Sequence, residues 1–146
     1  MKKITIAMVF AMLSSSAQAV SIIDTNPISM LGGLANIEYQ QSLTKTTGWT
    51  AQYAGLTYGG ASATIMGGSY KSTFGNNFST NSPSNFGNGA YWRAGLVSVT
   101  VAAGSLATGG ILPVVAVGYD HKVNEQFMVG IDVGLFSNGI SVGYIF

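Results

Sequence analysis

Between Phe127 and Phe146 the chain alternates so regularly that few structures can accommodate it. The odd positions Phe127, Val129, Ile131, Val133 and Leu135 are large and apolar, while Gly130, Asp132 and Gly134 between them are small or polar, Met128 being the exception. After a break at Ser137-Asn138 the apolar set changes parity to Ile140, Val142, Tyr144 and Phe146, opposite Ser141 and Gly143. A period of two is a strand, and a parity change across a two-residue break is a hairpin whose strands show one face to the same surroundings. That face is aliphatic and aromatic throughout, so it suits hydrocarbon better than water and predicts a pair of membrane-crossing strands.

The other end of the chain is consistent with export. Met1-Lys2-Lys3 is a positive n-region, Ile4 to Leu13 an apolar h-region, and Ala17-Gln18-Ala19 an A-x-A cleavage site, which predicts a cleaved signal peptide over 1–19 and one domain over 20–146. The h-region is too short for a permanent span, and no other stretch reaches the ~20 apolar residues of a transmembrane helix. With no cysteine, neither a lipidated cysteine nor a disulfide framework is available.

Composition narrows the choice between a free secreted protein and a membrane barrel. Charged residues make up 8% and hydrophobic residues 47%, a poor basis for a soluble surface. Beyond the signal, Lys45, Lys71, Arg93 and Lys122 stand against Asp24, Glu38, Asp120, Glu125 and Asp132. So balanced a chain lacks the dense basic patch that a nucleic-acid partner requires. Eight strands of ~9–11 residues would occupy roughly 80 of the remaining positions and leave the rest for turns. The 20 glycines fit a crowded barrel interior and strand bends, whereas disorder is excluded by the aromatic content.

The same alternation recurs upstream. Leu31 to Leu43 sets Ala35, Ile37 and Tyr39 against Asn36, Glu38 and Gln40, and Lys45-Thr46-Thr47-Gly48 follows as a turn. A strand from Trp49 to Tyr58 ends at Gly59-Gly60, a further one covers Ala61 to Ser72, and Phe74 to Asn88 is a polar loop. Ala90 to Ala103 resumes with Val97, Val99 and Val101 against Ser98, Thr100 and Ala102, its phase slipping at Gly95-Leu96 in the manner of a bulge. Ile111 to Asp120 carries Pro113 near its start, where a missing N–H is tolerated. These make seven strands. Bacterial single-chain barrels have an even number, so the eighth is expected at Val20 to Met30, interrupted by Pro27.

If the last strand ends on the periplasmic side, Tyr39, Trp49, Tyr70, Tyr91, Trp92, Tyr119, Phe127, Tyr144 and Phe146 all fall at that rim, as an interfacial aromatic belt requires. The same parity puts the long Phe74 to Asn88 loop there too, against the usual preference for short periplasmic turns, and its side stays open. Glu38, Arg93 and Asp132 lie on the non-apolar parity of their strands and are expected to pair in a lumen filled by side chains. The only histidine, His121, is placed in the Asp120 to Glu125 turn, where a triad or metal arrangement would have to form at a solvated rim. No cluster of metal ligands is present, and no catalytic residue or cofactor is expected.

The segment SVGYIF resembles the terminal recognition strand of outer-membrane barrels, which implies reading by the barrel-assembly machinery through Tyr144 and Phe146. NPISMLGGLANIEYQQSL and GYDHKVNEQFMVGIDVGLF resemble small uncharacterised outer-membrane barrels, OmpX-like in size, over most of Asn26 to Phe146. The resemblance implies a fold, a place in the bacterial outer membrane and lipid as partner, but no activity. LFSNG is loosely similar to the histidine-serine region of barrel lipid A deacylases, yet Phe136 stands near where that pattern needs its base. The expectation is an all-β, up-and-down antiparallel transmembrane barrel of about eight strands, a non-enzymatic envelope protein with a plugged lumen. Its alternatives are a lipid-modifying barrel enzyme and a secreted soluble β-sandwich subunit.

Overall fold

The computed structural model describes residues 20–27, 35–74, 86–136 and 139–146. The expected signal peptide, 1–19, lies outside the described residues. Eight strands follow one another: β1 (Ser21–Thr25), β2 (Ala35–Ser42), β3 (Thr47–Tyr58), β4 (Ala61–Thr73), β5 (Gly89–Ala103), β6 (Leu106–Lys122), β7 (Phe127–Leu135) and β8 (Ile140–Ile145). Each pairs antiparallel with its chain neighbour, and β1 pairs with β8 to close the barrel. All-β, up-and-down and eight-stranded, the fold is the expected one.

Closure fixes the geometry of the interior. Across the strands from Asp24, one row runs through Glu38, Gln52, Gly67 and Val97 to Leu112 on β6. In the other direction it runs through Gly143 and Met128 to Lys122 on the same strand. The offset from Leu112 to Lys122 is ten residues, which tilts eight strands by about 40° and leaves a bore that side chains can fill.

The two rims differ. One carries Val20, Phe146, the β2–β3 and β6–β7 turns and both ends of the Phe74 to Asn88 loop, and is called the terminal rim below. Phe86 returns to it by donating its N–H to the Lys45 carbonyl at 2.6 Å. The far rim carries the tight turns at Gly59-Gly60 and Gly104-Ser105. Gly59 and Gly60 both have positive φ, 58° and 82°, the backbone that a two-residue hairpin turn of the right twist demands. Strand lengths are lopsided: β3 to β6 have 12, 13, 15 and 17 residues, whereas β7, β8, β1 and β2 have 9, 6, 5 and 8. Among the described residues the barrel therefore has a tall wall and a low wall.

The eighth strand lies where parity required it, at Ser21–Thr25, and stops before Pro27. β2 begins at Ala35, and the earlier start expected at Leu31 lies outside the described residues. Three expectations need correction. β6 begins at Leu106 and not Ile111, because a two-residue turn lets Thr100 and Val99 pair with Gly109 and Gly110, so these glycines are ladder positions. Pro113 thus sits mid-strand, opposite Leu96. His121 belongs to β6, paired with Val129, because the ladder runs on to Lys122 opposite Met128. Finally, Gly95-Leu96 is no bulge: the register runs unbroken from Arg93 to Val97 on both sides. What changes there is the chemistry of the faces, since Val97, Val99 and Val101 continue the inward parity of Arg93.

Candidate functional site: the barrel interior and its outer belt

Alternation sends Glu38 and Gln40 of β2, Lys71 of β4, Arg93 of β5, Asp120 of β6 and Asp132 of β7 into the bore, and all are buried. The three residues expected to form a lumen network do meet. Arg93 Nη1 donates to Glu38 Oε2 at 2.5 Å, and its Nη2 stands 2.7 Å from Asp132 Oδ2. One guanidinium thereby braces β5 against β2 and β7 across the barrel, a use of two prongs that a lysine cannot copy.

A second brace lies alongside it. Lys71 Nζ donates to Asp120 Oδ2 at 2.5 Å and to Gln40 Oε1 at 2.8 Å, and lies 3.9 Å from the centre of the Tyr91 ring and 5.6 Å from that of Phe86. Gln40 passes the chain on, its Nε2 donating to Asp24 Oδ2. Asp132 Oδ1 accepts the Gly139 N–H at 2.7 Å, which pins the β7–β8 turn to the same cluster. The interior thus sets four carboxylates, Asp24, Glu38, Asp120 and Asp132, against two cations. Isolated charge in so dry a space would be very costly, and pairing is what makes it tolerable.

Sequence reasoning did not select Asp24, Lys71 or Asp120 for the network, although the signal was there: Lys71 shares parity with Ser69 and Thr73, and Asp120 with Ala116 and Gly118. Two glycines make room for it. A Cβ at Gly118 would lie 2.6 Å from the Tyr91 ring, and one at Gly130 would lie 2.7 Å from Asp120 Oδ1. Toward the terminal rim the ionic layer is capped by an apolar cluster of Ile22, Phe86, Met128 and Ile145. Toward the far rim lie the buried Val97 and Val114.

On the outside, Tyr39 packs against Trp49 at 5.4 Å between ring centres, Tyr70 against Trp92 at 5.7 Å, and Phe127 against Tyr144 at 5.4 Å, with Phe146 stacked 6.4 Å beyond Tyr144. Tyr119 shares the outward parity of Val115 and Val117 and is half-buried. Tyr91 does not belong with them. It has the parity of Arg93, is buried, and lays its ring on the Lys71 ammonium inside the bore, because Trp92, its neighbour in the chain, takes the outward position. His121 is exposed near the terminal rim. Among the described residues no group of three or more His, Cys, Asp or Glu could hold a metal ion, and no helix is long and apolar enough to cross a membrane.

No protein-family model and no curated protein matches the chain. Among solved structures it is similar to the N-terminal β-barrel domain of Pseudomonas aeruginosa OprF, at 15% identity and a TM-score of 0.47, over 88% of this chain and 97% of that one.

Proposed function

We propose that the chain is a small, non-enzymatic β-barrel protein of the bacterial outer membrane, with a lumen plugged by its own side chains. The observation that carries this reading is inverted polarity. Among the described residues sixteen polar or charged side chains are buried against eight hydrophobic ones, while Ile37, Met66, Leu96, Val117, Ile131, Val133 and Val142 lie exposed on the outer face. Water would penalise that arrangement and hydrocarbon rewards it. Membrane lipid is then the partner around the belt. During biogenesis the barrel-assembly machinery is the second partner, with Tyr144 and Phe146 as the residues it reads.

The plug is the pair of braces. Arg93 and Lys71 hold side chains of β1, β2, β6 and β7 across the bore, and an eight-stranded interior has no spare width for an aqueous path beside them. Two measurements test the reading. Protein from an outer-membrane fraction, run unboiled and boiled, is expected to shift its migration on heating, and release from the membrane by carbonate washing would defeat the assignment. Planar-bilayer recordings are expected to show no stable conductance, and well-resolved steps whose selectivity changes in Arg93→Ala would show an open pore instead.

A further inference from the structure

Above the ionic layer β6 loses its second neighbour. It pairs with β5 from Leu106 to Asp120, but with β7 only from Val115, opposite Leu135, to Lys122, opposite Met128. β7 stops there because the chain turns back. Phe136 takes a left-handed φ of 56°, and Gly139 already lies beside Asp132, whose N–H donates to its carbonyl at 2.8 Å. The two residues between Phe136 and Gly139 are too few to run on beside β6, and residues 28–34 join β1 to β2, three and four places round the ring.

The register tells which backbone groups are left over. Val123 donates its N–H to the Phe127 carbonyl at 2.8 Å, so the odd residues of β6 face β7 and the even ones face β5. Beyond the end of β7, Ala107, Gly109 and Ile111 therefore each turn an N–H and a C=O to an edge where, among the described residues, nothing accepts or donates. Pro113 is the next odd residue, and this is why it is tolerated in mid-strand: the N–H it lacks would have pointed to that edge.

Nothing else blunts this edge. It has no bulge, every residue from Leu106 to Pro113 is exposed, and residues 94–119 carry no charge. It also runs from the interface into the apolar belt: Gly109 lies opposite Thr100, while Ile111, 72% exposed, continues the outward row of Pro113, Val115 and Val117. An unpaired amide is cheap in water but costly beside hydrocarbon, so the Ile111 end calls for a partner that brings backbone groups.

We propose that the edge of β6 from Leu106 to Leu112 is a docking surface that takes an extended, uncharged segment of a different polypeptide as an added strand. This rests on the membrane reading above. The occupant is a strand because what the edge lacks is a row of N–H and C=O groups at strand spacing. It is uncharged because neither β6 nor β5 at these levels offers a counter-charge. It is not the β6 of a second copy. Two barrels inserted the same way would bring these edges together as parallel strands about a two-fold axis, odd residue facing odd residue, whereas parallel bonding needs the facing residues of the two strands to be one out of step.

The probe is a synthetic peptide with the sequence of Val97–Ala103, the uncharged stretch that already pairs with β6 on its other side. Amide hydrogen exchange is followed by NMR on heat-modifiable protein in phosphatidylcholine nanodiscs, with Thr108 and Gly110, which face β5, as the protected reference. Without peptide, Ala107 and Gly109 are expected to exchange fast. With it they should slow to the rate of Thr108 and Gly110, and the Thr100→Lys version of the peptide should leave them fast. Ala107→Pro, which removes an edge N–H and no bond to β5, and Ala107→Lys, which puts a charge on the edge, should each abolish the effect of the peptide at Gly109. Fast exchange that persists with the peptide would overturn the proposal, as would equal protection by the lysine peptide or in both Ala107 variants. Slow exchange at Ala107 and Gly109 without peptide would mean that the chain itself, or a second copy if protection rises with protein concentration, fills the edge, and would also overturn it. A nitroxide-bearing lipid that fails to broaden the signals of Ile131 and Val133 would remove the membrane reading itself and the proposal with it.

Discussion

The upper tall wall is built from four of the eight strands that close the lower barrel, yet the two are opposite kinds of surface. Around Arg93 the inside is ionic and closed and the outside apolar. Six residues further along β5, around Val99, the inside is apolar and only partly covered and the outside carries Thr64 and Thr100. The backbone is the same ladder in both, without a bulge between them. In a barrel, then, side-chain parity alone does not say which face is dry. The presence of an opposite wall does, because side chains in the bore are sealed only where strands face them from across it.

The contrast can be broken hardest at Arg93. Arg93→Ala leaves Glu38 and Asp132 buried without their cation and is expected to cost about 3–5 kcal/mol, the range for breaking a buried pair from one side. Arg93→Lys should lose less, since it keeps charge but not the fork. Urea unfolding in lipid vesicles measures both, and an Arg93→Lys protein as stable as the parent would show that the two-pronged brace is not what holds the lower barrel.

Charge on the outside sharpens the comparison next. Ile131→Arg places a cation on the lower apolar belt and should cost ~2–4 kcal/mol, whereas Thr100→Arg, outward on the upper wall, should cost about 0–1 kcal/mol as for a position near the interface. The same unfolding experiment reads both, and similar costs would mean that the upper outer face is as deep in lipid as the lower.

Crowding gives the smallest effect. Gly118→Ala pushes a methyl group toward the Tyr91 ring and should lose about 1–3 kcal/mol by overpacking. Gly110→Ala, on the upper inner face, meets nothing within 4 Å and should stay within about 0.5 kcal/mol of the parent. A large loss at Gly110 would show that the upper face is filled by something the lower barrel does not need.

Much of this was legible beforehand because a strand writes its two faces into alternate residues. The β7–β8 hairpin, the inward Glu38, Arg93 and Asp132 and most outward aromatics follow from that period alone. Tyr91 was misplaced because two aromatics stand side by side, and only the parity of Arg93 two positions on tells which one turns in. Gly95 misled because a glycine marks a turn, a bulge or a flat ladder position equally well, and the choice among these depends on what pairs across the strand.

The sequence by itself determines that the chain forms antiparallel strands with one apolar face, since period, turn residues and charge scarcity are local properties. Which polar groups meet was decided only in three dimensions. Arg93 and Glu38 are 55 residues apart, and their contact exists because closure with a ten-residue offset brings β5 and β2 to face each other across the bore. The reversal above Gly95 is likewise visible in the sequence as a change of phase, but its meaning is tertiary. A valine pointing inward is core at Val97 and open surface at Val101, because strand lengths set by distant turns determine whether a wall stands opposite.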